Sequence, residues 1–168
     1  MRRLAFALVA FFCQLLPASA QTAWHEYRSD AHDFAVLLPQ SPAVDTRRIA
    51  NIGATQTNYL IDLGAVTYLI SVVQLEAGTG PTNPDHAYFK RLMGFYAEGS
   101  KTTLRTSWPA IVAGRRGIDG ISEIGNTTHL VRIMAAPDRI YMIVYVGPKG
   151  QEKSENPSRF RASFKLTH

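Results

Sequence analysis

Residues 127–146 read TTHLVRIMAAPDRIYMIVYV, and no other stretch constrains the fold so tightly. From Thr127 to Ala135 apolar and polar residues alternate, which puts His129, Val131, Ile133 and Ala135 on one face of a strand. Pro137-Asp138 marks a tight turn. Arg139 to Val146 follows as RIYMIVYV, the most continuous apolar strand of the chain. Two such runs around a short turn predict a β-hairpin over Thr127–Val146.

The remaining elements are read against that hairpin. Trp24 to Tyr27 begins one strand, and Phe34 to Leu38 is a second, stopped by Pro39 and Pro42. Val44–Ile52 and Thr55–Asp62 form a strand pair around Gly53. Val66 to Val73 is rich in β-branched and aromatic residues and predicts a largely buried strand. The period then changes. Asn83-Pro84 reads as an N-cap with proline at the first helical position. Tyr88, Leu92 and Tyr96 follow at helical spacing, with Phe89 and Met93 alongside, and Gly99 ends the run. Lys101–Trp108 and Ile111–Ile121 read as strands, the second interrupted by Gly114 and Gly117. Asn156-Pro157 repeats the cap-and-proline device before a short helix to Ser163, which puts Phe160 and Phe164 on one side. The pattern is α+β: a mostly antiparallel sheet with helices against it.

The N-terminus reads as an export signal. Met1-Arg2-Arg3 is positive, Leu4 to Leu16 is apolar and uncharged, and Pro17-Ala18-Ser19-Ala20 supplies a helix break and small residues. This order predicts a signal peptide over 1–20, cleaved between Ala20 and Gln21. The apolar run is too short to span a bilayer, which takes roughly 20 residues. Cys13, the single cysteine, leaves with it, because Phe12 is not the small residue that lipidation requires. The remaining chain, 21–168, then has no disulfide, no thiolate nucleophile and no cysteine metal site. It has the size of one domain. Loss of Arg2 and Arg3 leaves 16 Lys+Arg against 13 Asp+Glu. That mild excess is scattered rather than striped, which argues against nucleic-acid binding.

Several of these positions form an ordered set. Trp24-x-x-Tyr27 leads into Phe34-x-Val36-x-x-Pro39-x-x-Pro42; Gly114-Arg115, Arg139-Ile140-Tyr141, Val146-Gly147-Pro148 and Phe160-x-x-Ser163-Phe164-x-Leu166 follow. The order resembles exported bacterial proteins of the PsbP-like fold over residues 24–166. The fold is named for the extrinsic photosystem II protein and shared by a nuclear-import factor that binds a small GTPase. The resemblance implies an α/β/α sandwich around an antiparallel sheet, and binding or assembly rather than catalysis. It assigns no functional residue, and Ala110 to Gly114 departs from the family's aromatic-proline-glycine.

No motif supplies a chemistry. There is no G-x-S-x-G, and Ser71, Ser100 and Ser107 are not tied by spacing to a base. The glycine-rich turn at Gly78–Pro81 lacks the P-loop lysine and reads as a mobile loop. His25 and His32-Asp33 read as strand-end and turn residues rather than metal ligands. Arg115 and Arg116 can offer guanidinium groups to a carboxylate or phosphate, with a charged edge-strand bulge as the plainer reading. With His129 they are the candidate ligand-binding residues. No cofactor is implied. The expected protein is periplasmic or secreted, without stable membrane insertion after cleavage. It acts as a non-catalytic binding or assembly module for an envelope protein. The alternatives are a small-ligand binder using Tyr88 and Tyr96, or a motif-free hydrolase.

Overall fold

The structure is a computed structural model and describes residues 23–167. The expected signal peptide, with Cys13 and the Ala20-Gln21 bond, lies outside the described residues. Strands β1 (His25–Ser29) and β2 (Phe34–Leu38) form a hairpin. β3 (Ala43–Ile49), β4 (Ala54–Asp62) and β5 (Thr67–Gln74) form a meander. Helix α1 (His86–Gly99) then crosses to a second meander. Its strands are β6 (Thr103–Val112), β7 (Arg115–Ile124), β8 (Thr127–Ala136) and β9 (Arg139–Pro148). Helix α2 (Glu155–Ser163) and the short β10 (Lys165–Leu166) close the chain. The large sheet is antiparallel in the order β3-β4-β5-β9-β8-β7-β6, and the small one is β1-β2-β10. No helix among the described residues is long and apolar enough to cross a membrane.

The hairpin at 127–146 is present as read, with Ala136 paired to Arg139 around Pro137-Asp138. β3 ends at Ile49, before the expected Ile52, because Ala50–Ile52 form a 3-10 turn. Three further boundaries differ from the expected ones. First, β6 runs through Pro109, and the break comes at Ala113-Gly114, whose φ angles of 48° and 78° are both left-handed. That is the geometry of a two-residue hairpin turn. Proline is tolerated because β6 is an edge strand. Arg115 and Arg116 therefore open the interior strand β7 and do not form an edge bulge. Second, α1 is capped by Asp85, whose carboxylate accepts from the Tyr88 backbone N–H at 2.7 Å, and not by Asn83. Third, α2 starts after Ser154 and carries Pro157 in its first turn, where no intrahelical N–H bond is forfeited.

Alternation along the strands divides the core in two. Below the large sheet, Phe34, Tyr59, Tyr68, Tyr141, Phe160 and Phe164 pack in edge-on and stacked pairs under the small sheet and α2. Above it, α1 seats Phe89, Met93 and Ala97 on Ile118, Val131 and Ile133. The core stripe of α1 is thus one residue on from Tyr88, Leu92 and Tyr96, which are half-buried flanks. Gly120 permits this seating: a β-carbon there would lie 2.7 Å from Met93 Cε and 2.9 Å from Sδ. The loop at Gly78–Pro81 also departs from its reading, because Gly80 lies against the β8–β9 turn. A β-carbon on it would overlap the Pro137 carbonyl oxygen at 1.8 Å.

One buried ionic cluster fastens α2 to the sheet. Arg132 on β8 donates twice to Asp119 on β7, both bonds 2.8 Å, and Arg161 of α2 reaches the same carboxylate at 2.8 Å. Burial works against the charged carboxyl, but the Arg132 hydrogen bonds and the two guanidinium charges win and hold its pKa below the ordinary value. Removing a buried ion's only counter-charge costs about 3–5 kcal/mol, whereas exposed pairs such as Arg28–Asp30 contribute about 0–1 kcal/mol. In urea denaturation, Asp119→Ala should therefore lose several-fold more stability than Arg28→Ala.

Candidate functional site

Seven strands about 4.8 Å apart span roughly 29 Å from first axis to last, and a helix is about 10 Å across. One helix cannot cover that width. α1 packs on β6, β7 and β8, so the upper face of β9, β5, β4 and β3 is left beside it. The result is a groove of about 530 Å³.

Its floor is apolar: Leu69 and Val73 of β5 and Ile140, Met142 and Val144 of β9. Its wall is the flank of α1, Leu92, Phe95 and Tyr96, and Phe95 is 66% exposed. The far side is polar and already ordered. Arg47 Nε and Nη2 donate to Gln56 Oε1 at 3.0 and 2.7 Å. Gln56 Nε2 in turn donates to Ser71 Oγ at 2.7 Å and to Asn58 Oδ1 at 3.2 Å. This ladder crosses β3, β4 and β5 and leaves hydrogen-bonding capacity facing the groove. A concave apolar surface with a few convergent polar groups is the usual form of a small-molecule site, whose volume is about 300–1,000 Å³.

The three candidates named from sequence fall in two places. His129 stands on β8 under the C-terminal end of α1, where its Nδ1 and the Tyr96 hydroxyl share a 2.7 Å hydrogen bond. It therefore fixes a residue of the groove wall. Arg115 and Arg116 lie beside the N-terminal end of α1, lining a separate cleft. Ser122, the partner of His129 across β7–β8, is six residues from Arg116, or about 20 Å along the strand. The structure does not bring the arginines and His129 together.

Among the described residues, no histidine is bonded to the serines singled out. Ser71 accepts from Gln56, and Ser100 donates to the Tyr96 carbonyl at 2.7 Å. His25 pairs across β1–β2 with Leu38, at the end of the hairpin remote from His32. His32 Nδ1 is 2.6 Å from the Tyr59 hydroxyl, which is 2.8 Å from Ser29 Oγ. That lock was missed, because Ser29 and His32 lie at the end of β1 and in the turn after it but reach a tyrosine 27 residues away from His32. The groove's polar ladder was missed for the same reason: it depends on the register of three strands.

Burial depresses both imidazoles. It is the cause for His129, and for His32 the Arg139 charge adds to it while Asp33 opposes. Between the folded pKa and the ordinary value near 6.5, the unfolded chain binds more protons than the folded one. The stability from these histidines is therefore complete above about pH 6.5 and is lost as pH falls through that window. The urea midpoint should drop from pH 7.5 to pH 5.5, and drop less in His32→Gln and His129→Gln.

Comparison with known proteins adds the fold. No protein-family model matches the chain, and no curated protein matches it. Among solved structures, it is similar to the solution structure of cyanobacterial PsbP (CyanoP) from Synechocystis sp. PCC 6803. The match has a TM-score of 0.59 at 10% identity and covers 90% of this chain and 96% of that one. A crystal structure from Bacteroides thetaiotaomicron VPI-5482 matches at a TM-score of 0.45 and 13% identity, over 84% of this chain and 47% of that one. With its mostly antiparallel sheet and two helices, the chain has a PsbP-like α+β fold.

Proposed function

We propose that this chain is an exported, non-catalytic binding module and that its ligand is a small amphipathic molecule held in the groove beside α1. The apolar body lies on Leu69, Val73 and Met142 against Phe95, and a hydrogen-bonding end meets the Arg47–Gln56–Ser71 ladder. One observation carries the reading: beside α1 the upper face of the sheet is only partly covered, and Leu69, Val73 and Met142 stay partly exposed there. Phe95 is a large aromatic at 66% exposure on the lip of that face. In this reading the layering is an α/β/α sandwich, with α1 as one outer layer and α2 with the small sheet as the other. The exported form is one domain, 21–168, released by cleavage after Ala20.

The neutral dye Nile red tests the site. Its fluorescence should rise saturably with the purified protein, and Phe95→Asp should weaken binding about tenfold or more without moving the urea midpoint. Enhancement that never saturates, or that Phe95→Asp leaves unchanged, would refute the site. N-terminal sequencing of the protein recovered outside the cytoplasm should begin at Gln21; recovery of Met1 in the cytoplasm alone would refute export.

A further inference from the structure

A second concavity lies at the opposite end of α1. The Ala113-Gly114 turn is two residues long and left-handed at both, so it has no slack. It holds Arg115 and Arg116 at the rim of the sheet. Arg116 is paired across the ladder with Ile111, which is 70% exposed. Together with Pro84, Pro109 and the buried Phe89, Ile111 forms an apolar pocket of about 360 Å³, with His86 and Arg116 on its lip. A polar cleft of about 310 Å³ adjoins it, lined by Thr82, Asn83, Arg115 and again Pro84 and Arg116. Arg116 thus belongs to both.

The charge in this double cleft is of one sign. Two arginines line it, Arg116 in both parts and Arg115 in one, and no Asp or Glu does. Among the described residues neither arginine is ion-paired, and Arg116 Nη1 reaches only Asn83 Oδ1, at 3.4 Å. Asp85, next in sequence to the lining residue Pro84, is turned to its own helix, where it accepts from the Tyr88 N–H. Guanidinium groups offer planar pairs of donors that match carboxylate and phosphate oxygens. An exposed isoleucine beside them offers the complementary apolar contact.

We propose that this cleft binds a ligand in which an anionic group, carboxylate or phosphate, is joined to an apolar body. The anion sits against the Arg116 guanidinium beside Asn83, with the adjacent Arg115 adding positive charge at the rim, and the apolar body fills the pocket against Ile111 and Phe89. The site is separate from the groove and does not depend on it.

The test is an NMR titration of protein purified from cells expressing the full-length chain. The probes are octanoate, octyl phosphate, octan-1-ol and octylamine. Octanoate, octyl phosphate or both should saturate shifts at His86, Arg116 and Gly117; the tighter of the two identifies the head group. Octanol and octylamine should bind about tenfold more weakly or worse, the loss expected when charge-assisted hydrogen bonds go unmade. The double variant Arg115→Gln/Arg116→Gln should bring octanoate down to the affinity of octanol, and Ile111→Ser should weaken every octyl probe. Phe95→Asp should change none of these affinities. Equal binding of octanol and octanoate, no effect of the double variant, or shifts centred on Leu92 and Phe95 would each overturn the proposal. The last outcome would leave the groove reading standing.

Discussion

The pairing of β5 with β9 is the constraint on which the rest of the molecule depends. The β3–β5 and β6–β9 meanders are each held by short connections, and among the described residues this is the one ladder that joins them. It runs from Thr67 opposite Val146 to Gln74 opposite Arg139. It also supplies both cores. Tyr68, Ile70, Tyr141 and Ile143 point down into the aromatic core, while Leu69, Val73, Ile140 and Val144 point up. The chain must travel from the end of β5 to the far edge of the sheet before returning as β9, and α1 lies on that route. The helix therefore comes to rest over β6 to β8 and leaves the upper side of the central ladder only partly covered. The groove follows from the topology rather than from any local irregularity.

The two sides of the sheet are secured differently. Below, two ionic clusters pin the covering layer. Asp119 ties α2 through Arg161. At the end of the β5–β9 ladder, Arg139 pairs with Asp33 and donates to Gln74 Oε1 at 2.6 Å, and Tyr141 donates to the His32 carbonyl at 2.9 Å. The small sheet is thus fastened at the same ladder end that closes the large one. Above, α1 is held by apolar seating and by the Tyr96–His129 bond. A layer pinned by buried charge resists local opening, whereas one held by a narrow apolar stripe leaves its flanks available.

The sequence made the β-structure and its turns legible because period-two patterns and Pro/Gly punctuation are local signals. The 127–146 hairpin and the apolar β5 are where the pattern placed them. Register along a helix was harder. Tyr88-Leu92-Tyr96 and Phe89-Met93-Ala97 are both apolar enough to face a core, and what selects the second is Gly120 on a strand read independently. Pro109 misled because proline breaks central strands, and nothing local reveals that β6 is an edge. The site was less legible still. Arg115 and Arg116 stood out as paired charges, but the apolar pocket beside them needs Pro84, Phe89 and Ile111, drawn from a loop, a helix and an edge strand. Asp119, Arg132 and Arg161 sit on three elements and meet only in the folded chain.

An apolar groove on a free molecule invites the objection that it is simply an assembly surface. The edges of the sheet bear on this. β3 carries Asp45, Arg47 and Arg48 and is exposed along nearly its whole length. β6 carries Pro109, which removes a ladder donor, and a register irregularity between Leu104 and Thr106. Charges, proline and bulges are the means by which edges resist pairing with another chain. Both ends of the large sheet have them, so it does not extend readily edge to edge. The upper face beside α1 is less guarded: its exposed surface is mostly apolar, its polar groups are ordered into one ladder, and Phe95 is largely exposed on its lip. Protection confined to the edges and withheld from the face supports the proposed ligand groove over edge-to-edge assembly.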